Sequence, residues 1–177
     1  MIQKFRQHDF SVHISDEDIS CPNHDMEVVA FIAGYCAHSA LKELSCVFCS
    51  STVVLDNRNI IDVESSAMIA NLSRGGLKFP QPCTRHVVLV TTLIVEKLTE
   101  GDHAKPFFAC SNQRGIISPI ATSLLGYVEI ENCENGHMSE TLVFHVVRAA
   151  TNVALNNFCK LRNDAIESTA QKKDADR

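Results

Sequence analysis

The chain has 177 residues, with 16 Lys and Arg against 21 Asp and Glu for a formal net charge of −5, and 45% of it is hydrophobic. A chain of this length makes one domain and buries roughly 70% of the surface its unfolded form exposes, which excludes disorder throughout. The acidic balance disfavours a domain that holds nucleic acid unaided, because that affinity comes mainly from Lys and Arg neutralising phosphates.

Residues 1–24 read as an acidic, flexible N-terminal arm, in which Asp9, Asp16, Glu17 and Asp18 stand against Lys4 and Arg6. Polar and acidic residues follow Met1 to His8, where a secretory signal would place its apolar run. The uncharged stretch from Val87 to Val95 falls well short of the roughly 20 apolar residues a membrane span needs. The expected compartment is the nucleus or the cytoplasm. In that reducing setting the 8 cysteines are thiols or metal ligands rather than a disulfide framework.

A helical domain is expected over residues 25–164. Asp25 is placed to cap a helix over 25–44, whose Val28, Phe31, Ile32, Tyr35, Cys36, Ser39 and Ala40 recur at spacings of three and four. Asp62 can cap a shorter helix through Ala67, Met68, Ile69 and Leu72, which Gly75 and Gly76 end, and residues 77–82 make a turn. Val87 to Val95 is rich in β-branched residues and alone resembles a strand, but the periodic run over 82–98 is long and has no pairing partner, which predicts a helix. Gly115 and Pro119 are expected to divide residues 107–128 into two short helices. Ser139 is the expected N-cap of a helix over 139–161, with Leu142, Val143, Val146, Ala149, Ala150, Val153 and Ala154 on its apolar face and Asn152, Asn156 and Asn157 exposed. Residues 165–177 read as a polar, frayed tail. The expected fold is all-α, a compact domain of about five to six helices.

Cys46-Val-Phe-Cys49 follows the first of these helices, and two thiolates two residues apart in a turn can face one ion. Cys133-Glu-Asn-Gly-His137 supplies a second closely spaced pair, with Gly136 permitting a tight bend. Together they form a Cys3His set suited to a structural Zn2+ that would stabilise the junction between two distant segments. The alternative is that Cys46 and Cys49 are small buried residues and His137 a capping or surface side chain. Cys83 and His86, one helical turn apart, form a weaker competing pair. Cys21, Cys36, Cys110 and Cys159 have no second ligand close in sequence. A thioredoxin-like reading of the Cys-x-x-Cys would want a strand before it, whereas a helix is expected there. No Ser-His-Asp or Cys-His-Asn arrangement can be placed, and the carboxylates at Asp16, Glu17, Asp18, Asp56, Asp62, Glu64, Glu129 and Glu131 read as solvated surface.

Several stretches resemble, in order, the C-terminal region of P-element-type (THAP-domain) transposases, as found in diverged arthropod copies. They are Val29-Ala-Phe-Ile-Ala-Gly-Tyr35, Cys46-Val-Phe-Cys49, Leu72-Ser-Arg-Gly-Gly-Leu-Lys-Phe-Pro80, Cys133-Glu-Asn-Gly-His137 and Asn156-Asn-Phe-Cys-Lys160 with Asn163-Asp164. The resemblance covers residues 26–164 and implies kinship with enzymes that cut and join DNA through an acidic triad holding two metal ions about 4 Å apart. In that family the last catalytic carboxylate and the DNA-reading zinc module lie upstream of the matched region. The function so implied is a non-catalytic C-terminal piece of a transposon-derived transposase, a zinc-stabilised interaction or assembly module and not an enzyme. Its partners would be protein, either self or other transposase segments, with DNA touched only within a complete transposase. Arg74 and Lys78, beside the Gly-Gly turn, and Lys160, Arg162, Lys172 and Lys173 are the cations available for such contacts. Two alternatives stand beside it: a metal-free helical protein-binding module, and an active DNA-cleaving transposase with an unrecognised triad.

Overall fold

The computed structural model describes residues 3–7, 10–20, 24–55, 78–99, 114–128, 133 and 135–175. Two strands, β1 (Gln3–Gln7) and β2 (Phe10–Ile14), lead into α1 (Asp16–Ser20), α2 (Met26–Leu44) and α3 (Val47–Val53). They are followed by α4 (Pro82–Thr99), α5 (Arg114–Ser123), a 3-10 turn at Leu125–Tyr127 and α6 (Ser139–Ala175). The fold is all-α, with six helices among the described residues and one short antiparallel hairpin at its edge.

The core forms where α4 packs against α2 and α6, with α5 closing on α6. Val87, Val88, Leu89, Val90, Leu93, Ile94, Val95 and Leu98 of α4 are all buried, so this helix is apolar nearly all round and occupies the centre. That explains why its β-branched run imitates a strand: it reflects burial on several faces, not a pleat. Thr91 and Thr92 return their hydroxyls to the carbonyls of Val87 and Val88, one turn back, so these two polar groups are satisfied within the helix. The face that α2 turns inward is made of small residues, Ala30, Ala33, Cys36, Ala37 and Ala40. They allow close approach by α6, which contributes Leu142, Val143, Val146, Val147 and Ala150. Arg148 of α6 pairs with Glu43 of α2 at 3.2 Å on the rim of this contact.

Asp25 caps α2 as expected, its carboxylate accepting the Glu27 backbone N–H at 2.9 Å. Close backbone approach fixes Gly34 in the same helix, because a Cβ there would lie 2.9 Å from the Lys78 carbonyl oxygen. The approaching segment is pinned by a bridge between Val54 and Pro80, with Leu55 N–H to Phe79 O at 2.7 Å and Gln81 N–H to Val53 O at 2.9 Å. The expected turn over 77–82 is therefore, in its described part, a stretch of extended chain held on α3.

Other expectations are corrected too. The expected N-terminal arm over 1–24 carries the hairpin and α1, with β1 and β2 in register from Gln3 opposite Ile14 to Gln7 opposite Phe10. Ile14 is fully buried, β2 lies on α4, and Lys97 of α4 binds Asp18 of α1 at 2.9 Å. Pro119 does not divide its segment but sits inside α5, where it forfeits one backbone hydrogen bond and its ring opposes the carbonyl of Gly115. The last helix does not stop at Leu161. No Gly or Pro interrupts the sequence from Ser139 to Ala175, and α6 runs the whole way, into the expected polar tail over 165–177. Ser139 is its first helical residue rather than its cap. The short helix expected from Asp62 lies outside the described residues.

Candidate metal centre

Two local turns present the ligands. Helix α2 ends at Leu44 and Ser45 takes a left-handed conformation (φ 48°, ψ 38°), its N–H closing on the Leu41 carbonyl at 2.7 Å. That reversal sets Cys46 in an extended conformation as the N-cap of α3 and Cys49 one turn into it, so both sulphurs face the same side. At the second turn Gly136 has φ +68°, a value that suits a residue without a Cβ, and its N–H binds the Cys133 carbonyl at 2.8 Å. This brings the Cys133 and His137 side chains together just before α6. Because α6 packs on α2, each pair is anchored to one of two helices already in contact.

The four donor atoms converge. Sγ of Cys133 lies 3.5 Å from Sγ of Cys46 and 3.9 Å from Sγ of Cys49. Nδ1 of His137 lies 3.6 Å from the sulphurs of both Cys49 and Cys133. All four atoms fall within 4.8 Å of one another. Bonds of about 2.3 Å to sulphur and 2.0–2.1 Å to nitrogen at the corners of a tetrahedron place sulphurs about 3.8 Å apart and sulphur about 3.6 Å from nitrogen. The four separations from Cys133 and His137 given above lie close to those values and the remaining two are within 4.8 Å, so the cluster can hold one metal ion. With four protein donors the tetrahedron has no corner left for water or substrate, the arrangement of a structural site.

Burial and hydrogen bonding divide the thiols. Cys46 and Cys49 are buried, while Cys133 and His137 are half-buried. The Cys49 backbone N–H, followed by the Asn135 side-chain amide 3.3 Å away, stabilises the Cys46 thiolate and brings its pKa down to about 6. Burial, and then the neighbouring sulphurs, pushes the Cys49 thiol up to about 12. A cation at the centre would reverse that second shift, since its charge stabilises every thiolate it touches. Asn135 was not singled out from the sequence. The available signal was the Asn-Gly pair, which marks a turn and says nothing about a sulphur 89 residues away.

The other sequence candidates are placed elsewhere. Cys83 donates weakly to the Thr52 carbonyl at 3.5 Å, and His86 stacks on Tyr127 with ring centroids 4.2 Å apart, so this pair serves packing. Cys36 is wholly buried, and burial pushes its thiol up to about 12, as befits an inert core side chain. His24 pairs with Glu96 at 3.0 Å and Asp18 with Lys97, while Asp16 and Glu17 are exposed. Asn152, Asn156, Asn157, Lys78 and Lys160 are exposed as well. Asp56, Asp62, Glu64, Arg74, Glu129 and Glu131, together with Cys21 and Cys110, lie outside the described residues, and the side chains of Cys159 and Arg162 are not described.

Comparison with protein-family models, curated proteins and solved structures finds no match for this chain. Among the described residues no helix is long and apolar enough to cross a membrane.

Proposed function

We propose that this chain is a non-catalytic helical module of transposase type, in which Cys46, Cys49, Cys133 and His137 bind one structural Zn2+. A single observation carries the reading: four donors from segments 83 residues apart meet at the spacing of a zinc tetrahedron. Three thiolates with one imidazole favour zinc over hard cations such as Mg2+ or Ca2+, and a closed donor set suits stabilisation rather than catalysis. The transposase half of the reading rests on the sequence resemblance, whose Cys-x-x-Cys and Cys-x-x-x-His elements are the two ligand pairs. In that setting the ion locks α3 and the α6 turn into one surface that assembles with other transposase segments or a second copy, and DNA contact belongs to the complete transposase.

Metal analysis of purified protein tests the centre. One equivalent of zinc is expected in the parent chain, with loss of most of it in Cys46→Ser and His137→Ala. Parent protein that takes up no zinc on reconstitution refutes the centre, and an unchanged helical spectrum and thermal midpoint after chelation favours the metal-free binding module. A strand-cleavage assay with Mg2+ tests the non-catalytic assignment, which robust cleavage would overturn. Failure both to co-purify with the upstream part of a P-element-type transposase and to self-associate would remove the assembly role.

A further inference from the structure

Three thiolates and a neutral imidazole around a divalent ion carry a net charge of −1, and in a partly buried site that surplus has to be met by donors outside the coordination sphere. Among the described residues two such donors are directed at the centre, and both reach Cys46: the Cys49 backbone N–H and the Asn135 amide, 3.3 Å from the sulphur. The first comes from the sulphur's own helix. The second comes from the opposite ligand pair, because Asn135 lies between Cys133 and His137 in the turn that Gly136 closes onto the Cys133 carbonyl. A thiolate only accepts hydrogen bonds, so the amide must present its nitrogen rather than its oxygen.

We propose that Asn135 is a positioning residue of the metal centre, which through its N–H···S bond to Cys46 governs how tightly the ion is held and how slowly it leaves. This rests on the metal reading above. The bond joins the two ligand pairs directly, so it orders the site before the ion arrives and draws charge from Cys46 afterwards. Outer-sphere partners of metal ligands typically contribute about 10- to 100-fold in affinity. Asn135→Asp is the decisive variant, since Asp has nearly the same shape and the same liking for turns but faces the sulphur with an anionic oxygen.

The test is zinc affinity by chelator competition, the rate of zinc transfer to chelator, and the spectrum of the Co2+-substituted protein, for the parent, Asn135→Ala, Asn135→Asp and Asn135→Gln. About 10-fold weaker binding is expected for Asn135→Ala and about 100-fold for Asn135→Asp, with faster release in the same order. Asn135→Gln, which keeps the donor, should recover part of the loss. The Co2+ ligand-field bands should persist in every variant because the four ligands remain. The sulphur-to-cobalt charge-transfer band should move to longer wavelength in Asn135→Ala, since a sulphur without its donor gives up an electron more easily. A purely structural role for Asn135 in the turn would leave that band where it is and leave Asn135→Asp like the parent. Parent-like affinity and release in both Asn135→Ala and Asn135→Asp overturn the proposal while the metal centre stands. Parent protein that binds neither Zn2+ nor Co2+ removes both.

Discussion

Stripping the ion from the Cys46, Cys49, Cys133 and His137 centre should lower the thermal midpoint by an amount that follows from where those residues lie in the chain. The stability an ion adds is the difference between its affinity for the folded and the unfolded chain. An unfolded chain can offer either local pair, but to present all four donors it must first close the 87-residue separation between Cys46 and Cys133. Closing a loop of that length costs about 4.6 kcal/mol at 25 °C, a cost the folded domain has already met by packing α6 on α2. At this chain size each kcal/mol moves the midpoint by about 2–4 °C, so ion removal should lower it by about 9–18 °C. Repulsion among bare thiolates adds little, because without the ion Cys49 stays protonated, its pKa pushed up to about 12 by burial. The assay is helical ellipticity against temperature at one equivalent of Zn2+ and again after chelation, with metal content measured on both samples. A midpoint shift below about 2 °C in protein shown to have lost its ion would refute the argument that the centre joins segments the unfolded chain keeps apart.

Three further outcomes follow from the packing and the charges. Gly34→Ala should destabilise the fold by about 1–3 kcal/mol in urea unfolding, since its Cβ would press at 2.9 Å on a Lys78 carbonyl whose neighbours are pinned to α3; a neutral effect would show that this segment moves freely. Hydrogen bonds from the Lys97 ammonium and from Ser15 hold the Asp18 carboxyl well below the usual carboxylate range. Its contribution is therefore fully present above the ordinary aspartate pKa of 3.8 and is withdrawn as pH falls toward the lower folded value. Asp18→Asn should cost about 1 kcal/mol at pH 7, and the gap from the parent should narrow below about pH 3. Burial lowers the His86 pKa from its ordinary 6.5, so the unfolded chain takes up that proton first and stability declines as pH drops below 6.5. His86→Phe, which keeps a ring against Tyr127, should lose less stability than the parent between pH 7.5 and 5.5, and equal losses would contradict the burial argument.

Where a local rule and the tertiary contacts agreed, the sequence was readable. Asp25 marks the start of α2, and the run over 82–98 marks α4, because a helix wrapped by neighbours needs apolar residues on every side; the face expected on α2 is not the buried one, since Val28 and Tyr35 are exposed while Val29, Ala30, Ala33 and Ala37 turn inward. Pro119 misled because the proline rule weighs one lost hydrogen bond, whereas burial of Ile116, Ile117 and Ile120 around it outweighs that loss. The hairpin was missed although Phe10, Val12 and Ile14 alternate cleanly, since its five-residue strands carry no Asn-Gly or Asp-Gly turn between them. The ligand pairs stood out individually by spacing, but their meeting depends on α2 and α6 lying side by side, and no local pattern encodes that neighbourhood. Asn135 lay beyond reach for the same reason: its partner is 89 positions away.

The long interval between the two ligand pairs also sets an order of events during synthesis. Cys49 precedes His137 by 88 positions, and ribosomes add roughly 5–20 residues per second, so a nascent chain carries its first two thiols for about 4–18 s before the imidazole exists. During that interval α2 and α3 have no α6 to lie against, and the early pair stands ready for any soft cation or chaperone that passes. A coordination sphere drawn from all four donors would thus close only after translation has passed His137, so that an ion held there would be a late-arriving seal rather than a seed for folding.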